Sequence, residues 1–138
     1  MIILKIGGSI LTNKDSTESE IDGESLGRIA REIKASLDRS DKQLIIVHGA
    51  GSFGHPPASE YRIGEAFEKS EYPQKRIDFC KTQNAVKKLN MLICEAFIEE
   101  GLPVMAIPAS SFMTATEKRI TEGNLEFFKK YLEKGFIP

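Results

Sequence analysis

Cysteine is nearly absent from these 138 residues: Cys80 and Cys94 are the only two, too far apart for a C-x-x-C pair. Both fall in one stretch of helical character, where they read as small buried thiols of a reducing compartment and not as a disulfide framework. Histidine is equally scarce, with His48 and His55 alone. No zinc-ligand pattern and no serine or cysteine triad is discernible. No G-x-x-x-x-G-K-[ST] stretch occurs, which argues against a P-loop NTPase. Long apolar runs are missing too. The N-terminal MIILKI has no basic region ahead of it and is broken at once by Gly7 and Gly8. It reads as neither a signal peptide nor a membrane span, and a cytoplasmic protein is expected. Nor is one sign of charge in excess, since 19 Lys and Arg against 20 Asp and Glu leave a net charge of −1. Nothing global points to nucleic acid or an anionic membrane as partner. An anion site would have to be local, built from loops and a few placed cations.

What is present fits one soluble domain, with 41% apolar and 28% charged residues and enough length to bury a core. IILKI, residues 2–6, reads as a short buried strand. A helix is predicted over roughly 24–38, because Leu26, Ile29, Ala30, Ile33 and Leu37 recur at helical spacing behind Asp22, a candidate cap. KQLIIVH is a second strand with the continuous apolar character of a sheet covered on both faces. A loop and short helix through PPASEYRIGEAF lead to a long helix over roughly 75–100. Leu89, Leu92, Ile93, Ala96 and Phe97 line one side of it and Gly101 ends it. LPVMAIP is read as a third strand and TEGNLEFFKKYLEKG as a last helix, packing through Leu125, Phe128 and Leu132 and stopped by Gly135. No repeat, linker or low-complexity tract interrupts this order.

Strands alternating with helices imply a parallel sheet flanked by helices on both faces. In such sheets phosphate sites lie at the carboxyl ends of the strands, where two glycine junctions occur. The final FIP reads as the start of a fourth strand at which the chain stops, so a truncated chain or one half of a larger sheet is expected.

The first junction, KIGGSILTNK, sets Gly7, Gly8 and Ser9 behind Lys5. Paired glycines let a backbone approach a bulky anion and present N–H groups to it. Lys5 is a charge in an apolar strand. It either snorkels or pairs at a strand end, or it reaches a transferring phosphoryl group. Lys14 follows in a polar loop, where spacing alone makes it a surface lysine.

The second junction, HGAGSFGH, contains G-x-G-x-x-G from Gly49 to Gly54. A dinucleotide fold would need a strand soon after it, ending in an acidic residue about 20 positions on. EAFEKSEYPQKR supplies acids but no such strand, and the motif follows the second strand instead of the first. What remains is a glycine loop between two histidines. Ala50, Gly51 and Gly54 are candidate N–H donors to an anion, and His55 is either a further donor or a polar residue at a loop edge.

Taken together, KIGGSILTNK, IIVHGAGSFGHPPASEYRIG and KTQNAVKKLN resemble the N-terminal half of the isopentenyl phosphate kinases, a branch of the amino acid kinase superfamily. The second loop with its closing histidine is the more diagnostic part, and the resemblance spans essentially the whole chain. It implies an α/β fold, the open parallel-sheet α/β/α sandwich of amino acid kinase type, ending after the start of a fourth strand. It also implies ATP-dependent conversion of isopentenyl phosphate to isopentenyl diphosphate in an archaeal-type mevalonate route. Mg2+ would accompany the nucleotide without a protein metal site, and the full-length protein would be a homodimer. Carried over residue by residue, Lys5, Ile6, Gly7, Gly8, Ser9 and Gly51 would hold the ATP phosphates. Ala50, Gly54 and His55 would hold the acceptor phosphate, and Lys5, Lys14 and His55 would be the catalytic side chains. Phe79, Gln83, Val86 and Ile93 are a candidate wall for the prenyl tail, or simply core. The family's second half, which supplies most of the nucleotide site, has no counterpart in these residues, so an inactive or weakly active acceptor-side part is expected. Two alternatives stand beside this reading: another small-molecule kinase of the superfamily, of the phosphonate-antibiotic type, and a non-catalytic half-domain that binds phosphorylated metabolites.

Overall fold

A computed structural model describes residues 1–12, 20–117 and 119–138. Strand β1 (Ile2–Ile6) is followed by one helical turn, α1 (Gly8–Leu11), and by helix α2 (Gly23–Leu37). Strand β2 (Leu44–His48) then leads into α3 (Gly51–Glu60) and the long α4 (Tyr72–Glu99). A hairpin of β3 (Met113–Thr116) and β4 (Arg119–Gly123) precedes the last helix, α5 (Glu126–Glu133).

β1 and β2 pair in parallel, Ile2 with Leu44 through Ile6 with His48. The sheet continues irregularly on the far side of β2. The Ile46 N–H donates to the Pro138 carbonyl (2.9 Å), and Ile137 forms a parallel bridge with Val104. Residues 137–138 therefore lie between β2 and the segment around Val104, and FIP, expected to start a fourth strand, makes the single Ile137 bridge. LPVMAIP, expected as a full strand, makes only the Val104 bridge.

The elements form where the periodicity puts them. Asp22 caps α2 by accepting from the Ser25 N–H at 2.9 Å, satisfying one of the helix's open amides. Leu26, Ala30 and Ile33 are buried beneath α2, and Leu89, Ile93 and Phe97 beneath α4. They meet Ile6 and Leu44 of the sheet in one core with Leu11, Phe53, Leu102 and Ile137. Burial of each such leucine, isoleucine or phenylalanine side chain contributes about 1.5–3 kcal/mol. Gly101 (φ +78°) and Gly135 (φ +80°) end α4 and α5 in the left-handed conformation that glycine adopts without penalty.

Two expectations change. The helix read over TEGNLEFFKKYLEKG shortens to Glu126–Glu133, because Arg119–Gly123 pairs with Met113–Thr116 instead. The expected packing through Leu125 also fails: it stands just ahead of α5 and is exposed, whereas Leu132 is buried. In addition the sheet is covered unevenly. Leu4, Ile6, Leu44 and Ile46 belong to the core, while Ile3 (64% exposed) and Val47 (45% exposed) on the opposite side of the pleat remain open.

Candidate functional site

The two glycine junctions meet backbone to backbone. A methyl group built on Gly8 would collide with the Gly51 nitrogen and lie 2.6 Å from the Gly51 Cα. One built on Gly49 would lie 2.8 Å from the Gly8 nitrogen. No side chain of any size fits at Gly8 or Gly49, which is why glycine stands there. The Gly49 N–H donates to the Ile6 carbonyl at 3.0 Å, extending the parallel ladder to the rim of the site. Gly51 itself takes a left-handed conformation, φ +50°.

Thr12 locks the two junctions together. It is 5% exposed. Its hydroxyl donates to the Gly8 carbonyl (3.0 Å) and accepts from the Ser52 N–H (3.3 Å). Nothing in the spacing singles Thr12 out. Its position, one residue past α1, becomes meaningful only once the second loop lies against the first.

The remaining predicted residues are placed as follows. Ile6 is buried in the core and ends β1, with Gly7 at the turn that follows. Gly7 has an extended backbone (φ −66°, ψ 140°), and among the described residues the only atom near a methyl built on it is the Ser9 hydroxyl at 3.9 Å. Among the described residues, nothing else crowds the Gly7 face. Lys5 and Ser9 are exposed. Lys5 has no burial cost to offset, and its register partner is Val47 on the open side of the sheet. Lys14 lies outside the described residues.

In the second junction the glycine run is the start of a helix instead of a free loop, since α3 begins at Gly51. Its amides are thereby partly committed. The Gly54 N–H donates to the Ala50 carbonyl at 3.2 Å. A Cβ on Gly54 would stand 2.5 Å from the Ala50 Cβ and 3.0 Å from Val86 of α4. Gly54 therefore lets α3 pack closely on α4. His55, the next residue, is exposed. His48 turns inward instead, and its Nε2 stands 2.8 Å from the Asn90 side-chain nitrogen of α4.

Beside the junctions a cavity of about 910 Å3 opens between β2, α4 and α5. Its lining is mostly apolar and includes Gln83, Val86, Ile93 and Phe128, with His48 and Lys87 among the polar groups. Phe79, named with Gln83, Val86 and Ile93 as a wall, is exposed elsewhere on α4 and does not line it. The 3-10 turn Ala109–Ser111 borders the cavity and is tied to α4 by the Ser110 hydroxyl donating to Gln83 Oε1 at 3.2 Å. Among the described residues, no three His, Cys, Asp or Glu side chains converge as metal ligands. No described helix is long and apolar enough to cross a membrane.

Two glycine strand ends pressed together at one rim of a parallel sheet match a known architecture. The model of the amino acid kinase family matches residues 1–138. The chain belongs to that family. Among curated proteins it is similar to an isopentenyl phosphate kinase of Methanothermobacter thermautotrophicus, 48% identical across all of this chain and 51% of the relative. The isopentenyl phosphate kinase of Methanocaldococcus jannaschii is 35% identical across all of this chain and 54% of its own length. A solved isopentenyl phosphate kinase structure superposes with a TM-score of 0.91 at 47% identity, over 99% of this chain and 55% of that one. The chain thus spans about half the length of the curated relatives it matches. The expected fold is borne out as a mixed α/β structure of amino acid kinase type, with β1 and β2 paired in parallel.

Proposed function

We propose that this chain is the phosphate-acceptor side of an isopentenyl phosphate kinase. The whole protein transfers the γ-phosphoryl group of ATP to isopentenyl phosphate, giving isopentenyl diphosphate and ADP. The observation that carries the reading is the contact of Gly8 with Gly51, which brings two glycine-rich strand ends to one spot. The identity to relatives of that name supports it.

The chemistry suits such a rim. The acceptor is already an anionic phosphate, so no strong general base is required. The task is to hold two mutually repelling anions in line and to neutralise the charge that moves between them. In this reading the Gly7 face, with Gly8, Ser9 and Lys5, receives the donor's phosphates, joined by Gly51 from the second junction. Ala50 and His55 hold the acceptor phosphate. Gly54 sets the approach of α3 to α4. Lys14 stabilises the transferring group. Mg2+, carried by the nucleotide, supplies further charge neutralisation and is held by phosphate oxygens instead of a protein cage. The five-carbon tail enters the apolar cavity beside Val86 and Ile93. The full-length protein is a cytoplasmic homodimer, and this chain alone turns over little or no substrate.

Calorimetric titration of the chain with isopentenyl phosphate, alongside a thermal melt, tests the reading. A cooperative melt and saturable binding are expected. His55→Ala, at an exposed position, should leave the melt unchanged and weaken binding by about tenfold or more, the loss of one charge-assisted hydrogen bond. A cooperatively folded chain that binds no isopentenyl phosphate would overturn the assignment. Turnover at an ordinary enzyme rate by the chain alone would overturn its acceptor-only role.

A further inference from the structure

His48 has no part in the roles assigned so far, yet both of its ring nitrogens are engaged. Nδ1 stands 3.0 Å from the carbonyl oxygen of Gly49, and Nε2 stands 2.8 Å from Nδ2 of Asn90. A carbonyl can only accept, so the proton sits on Nδ1. In the neutral ring Nε2 is then bare and accepts from the Asn90 amide. The ring is held in one tautomer and one orientation, between the end of β2 and the middle of α4.

That bridge acts on a single peptide group. Gly49 is gripped through its carbonyl by His48, and on its other side it presses against the Gly8 nitrogen. Its own N–H is held by the Ile6 carbonyl. Ala50 and Gly51, the next two residues, carry the amides assigned to the phosphates. One turn back along α4 from Asn90, Val86 is the residue against which Gly54 packs. Val86 and Asn90 are four residues apart and share a helix face, so α4 fixes the second junction at both ends.

We propose that His48, held by Asn90, is a positioning residue that sets the Gly49–Gly51 backbone for phosphate binding and holds neither phosphate itself. This deepens the acceptor-side reading and rests on it. It predicts a linked pair. Removing the Asn90 donor frees the ring, and the loop loses its fixed peptide although no phosphate ligand has been removed.

The test uses the full chain, its Asn90→Leu variant and its Asn90→Asp variant, with three readouts. Long-range 1H–15N spectra of the two histidines should show His48 as the Nδ1–H tautomer in the unsubstituted chain. Amide exchange at Gly49–Gly51 should quicken by about tenfold in Asn90→Leu, and isopentenyl phosphate affinity should fall by a similar factor. Asn90→Asp should restore both, because its carboxylate accepts from a protonated Nε2. The spectra would then show both ring nitrogens protonated, a signature that a merely structural side chain would not produce. An Nε2–H tautomer in the unsubstituted chain overturns the proposal, as does an Asn90→Leu chain with unchanged exchange and affinity. If the unsubstituted chain binds no isopentenyl phosphate while Asn90→Leu still loosens the loop, the acceptor-side reading falls and the positioning role of His48 stands.

Discussion

Gly8 and Gly51, far apart in sequence, are in backbone contact at the rim of the sheet, with no room for a Cβ on Gly8. At Gly7, its immediate neighbour, a Cβ would meet, among the described residues, only the Ser9 hydroxyl at 3.9 Å. The two glycines of one motif therefore answer to different demands, and substitution separates them. Gly8→Ala should destabilise the chain by about 3 kcal/mol, since backbone and not a flexible side chain must move. Gly7→Ala, at a φ that any residue adopts, should leave stability within about 1 kcal/mol or raise it slightly. It should nevertheless weaken phosphate ligands that approach that face. Urea denaturation of both variants, with a binding titration of Gly7→Ala, reads the difference. Equal destabilisation by the two would contradict it.

Thr12 serves the two junctions with one hydroxyl, as donor to Gly8 and acceptor from Ser52. Thr12→Val keeps the shape and removes both bonds, and should cost about 1–3 kcal/mol. Thr12→Ser keeps the hydroxyl and should cost less. Chemical denaturation of the pair settles the order. If valine is tolerated as well as serine, the hydroxyl is not what joins the loops.

The cysteines should differ in reactivity. Cys80 is exposed, whereas Cys94 is half-buried and lines the cavity. Burial, and secondarily the Glu95 carboxylate, pushes the Cys94 thiol up. At neutral pH a thiol-specific disulfide reagent should modify one cysteine at least about tenfold faster than the other, and Cys80→Ser should abolish the fast phase. Two equal phases would mean that the cavity wall is open to reagent.

Asp22 makes acid sensitivity of α2 a measurable quantity. The Ser25 backbone N–H, which it caps, holds its carboxyl below the usual carboxylate range. A depressed value in the folded state means that the contribution is complete above the unfolded value near 4 and is lost as pH falls through the folded value. Asp22→Asn keeps a capping oxygen but cannot titrate. Melting temperatures of the two chains should therefore converge as pH drops below about 4. Curves that stay parallel through the acid range would show that the cap does not titrate.

The elements legible beforehand were those whose own residues carry the signal. α2 announces itself by Asp22 and an apolar stripe, and α4 by Leu89, Ile93 and Phe97 ahead of Gly101. α3 was legible only in part, as a short helix through PPASEYRIGEAF, because it opens on glycine and contains Pro56 and Pro57, residues that disfavour helix in isolation. Packing on α4 overrides that preference. The β3–β4 hairpin was missed because its turn places Glu117 in the left-handed region (φ 51°), where no glycine or asparagine marks it. For the site, glycine spacing exposed both loops. It did not expose Thr12, Asn90 or the inward turn of His48, because a tie between distant segments leaves no periodic trace in either of them.

The link from Ile46 to Pro138 has a consequence for the order of assembly. β1 and β2 are joined through α1 and α2 alone among the described elements and can zip together early, once a modest loop has closed. The next position in the sheet belongs to residues that follow α5, far along the sequence from β2, which bond to Ile46 on one side and to the Val104 segment on the other. On a ribosome the glycine rim can thus be laid down while the strand beside it is still unsynthesised. Until Ile137 arrives, one flank of β2 lacks that hydrogen-bonding partner and is open to pairing with another chain.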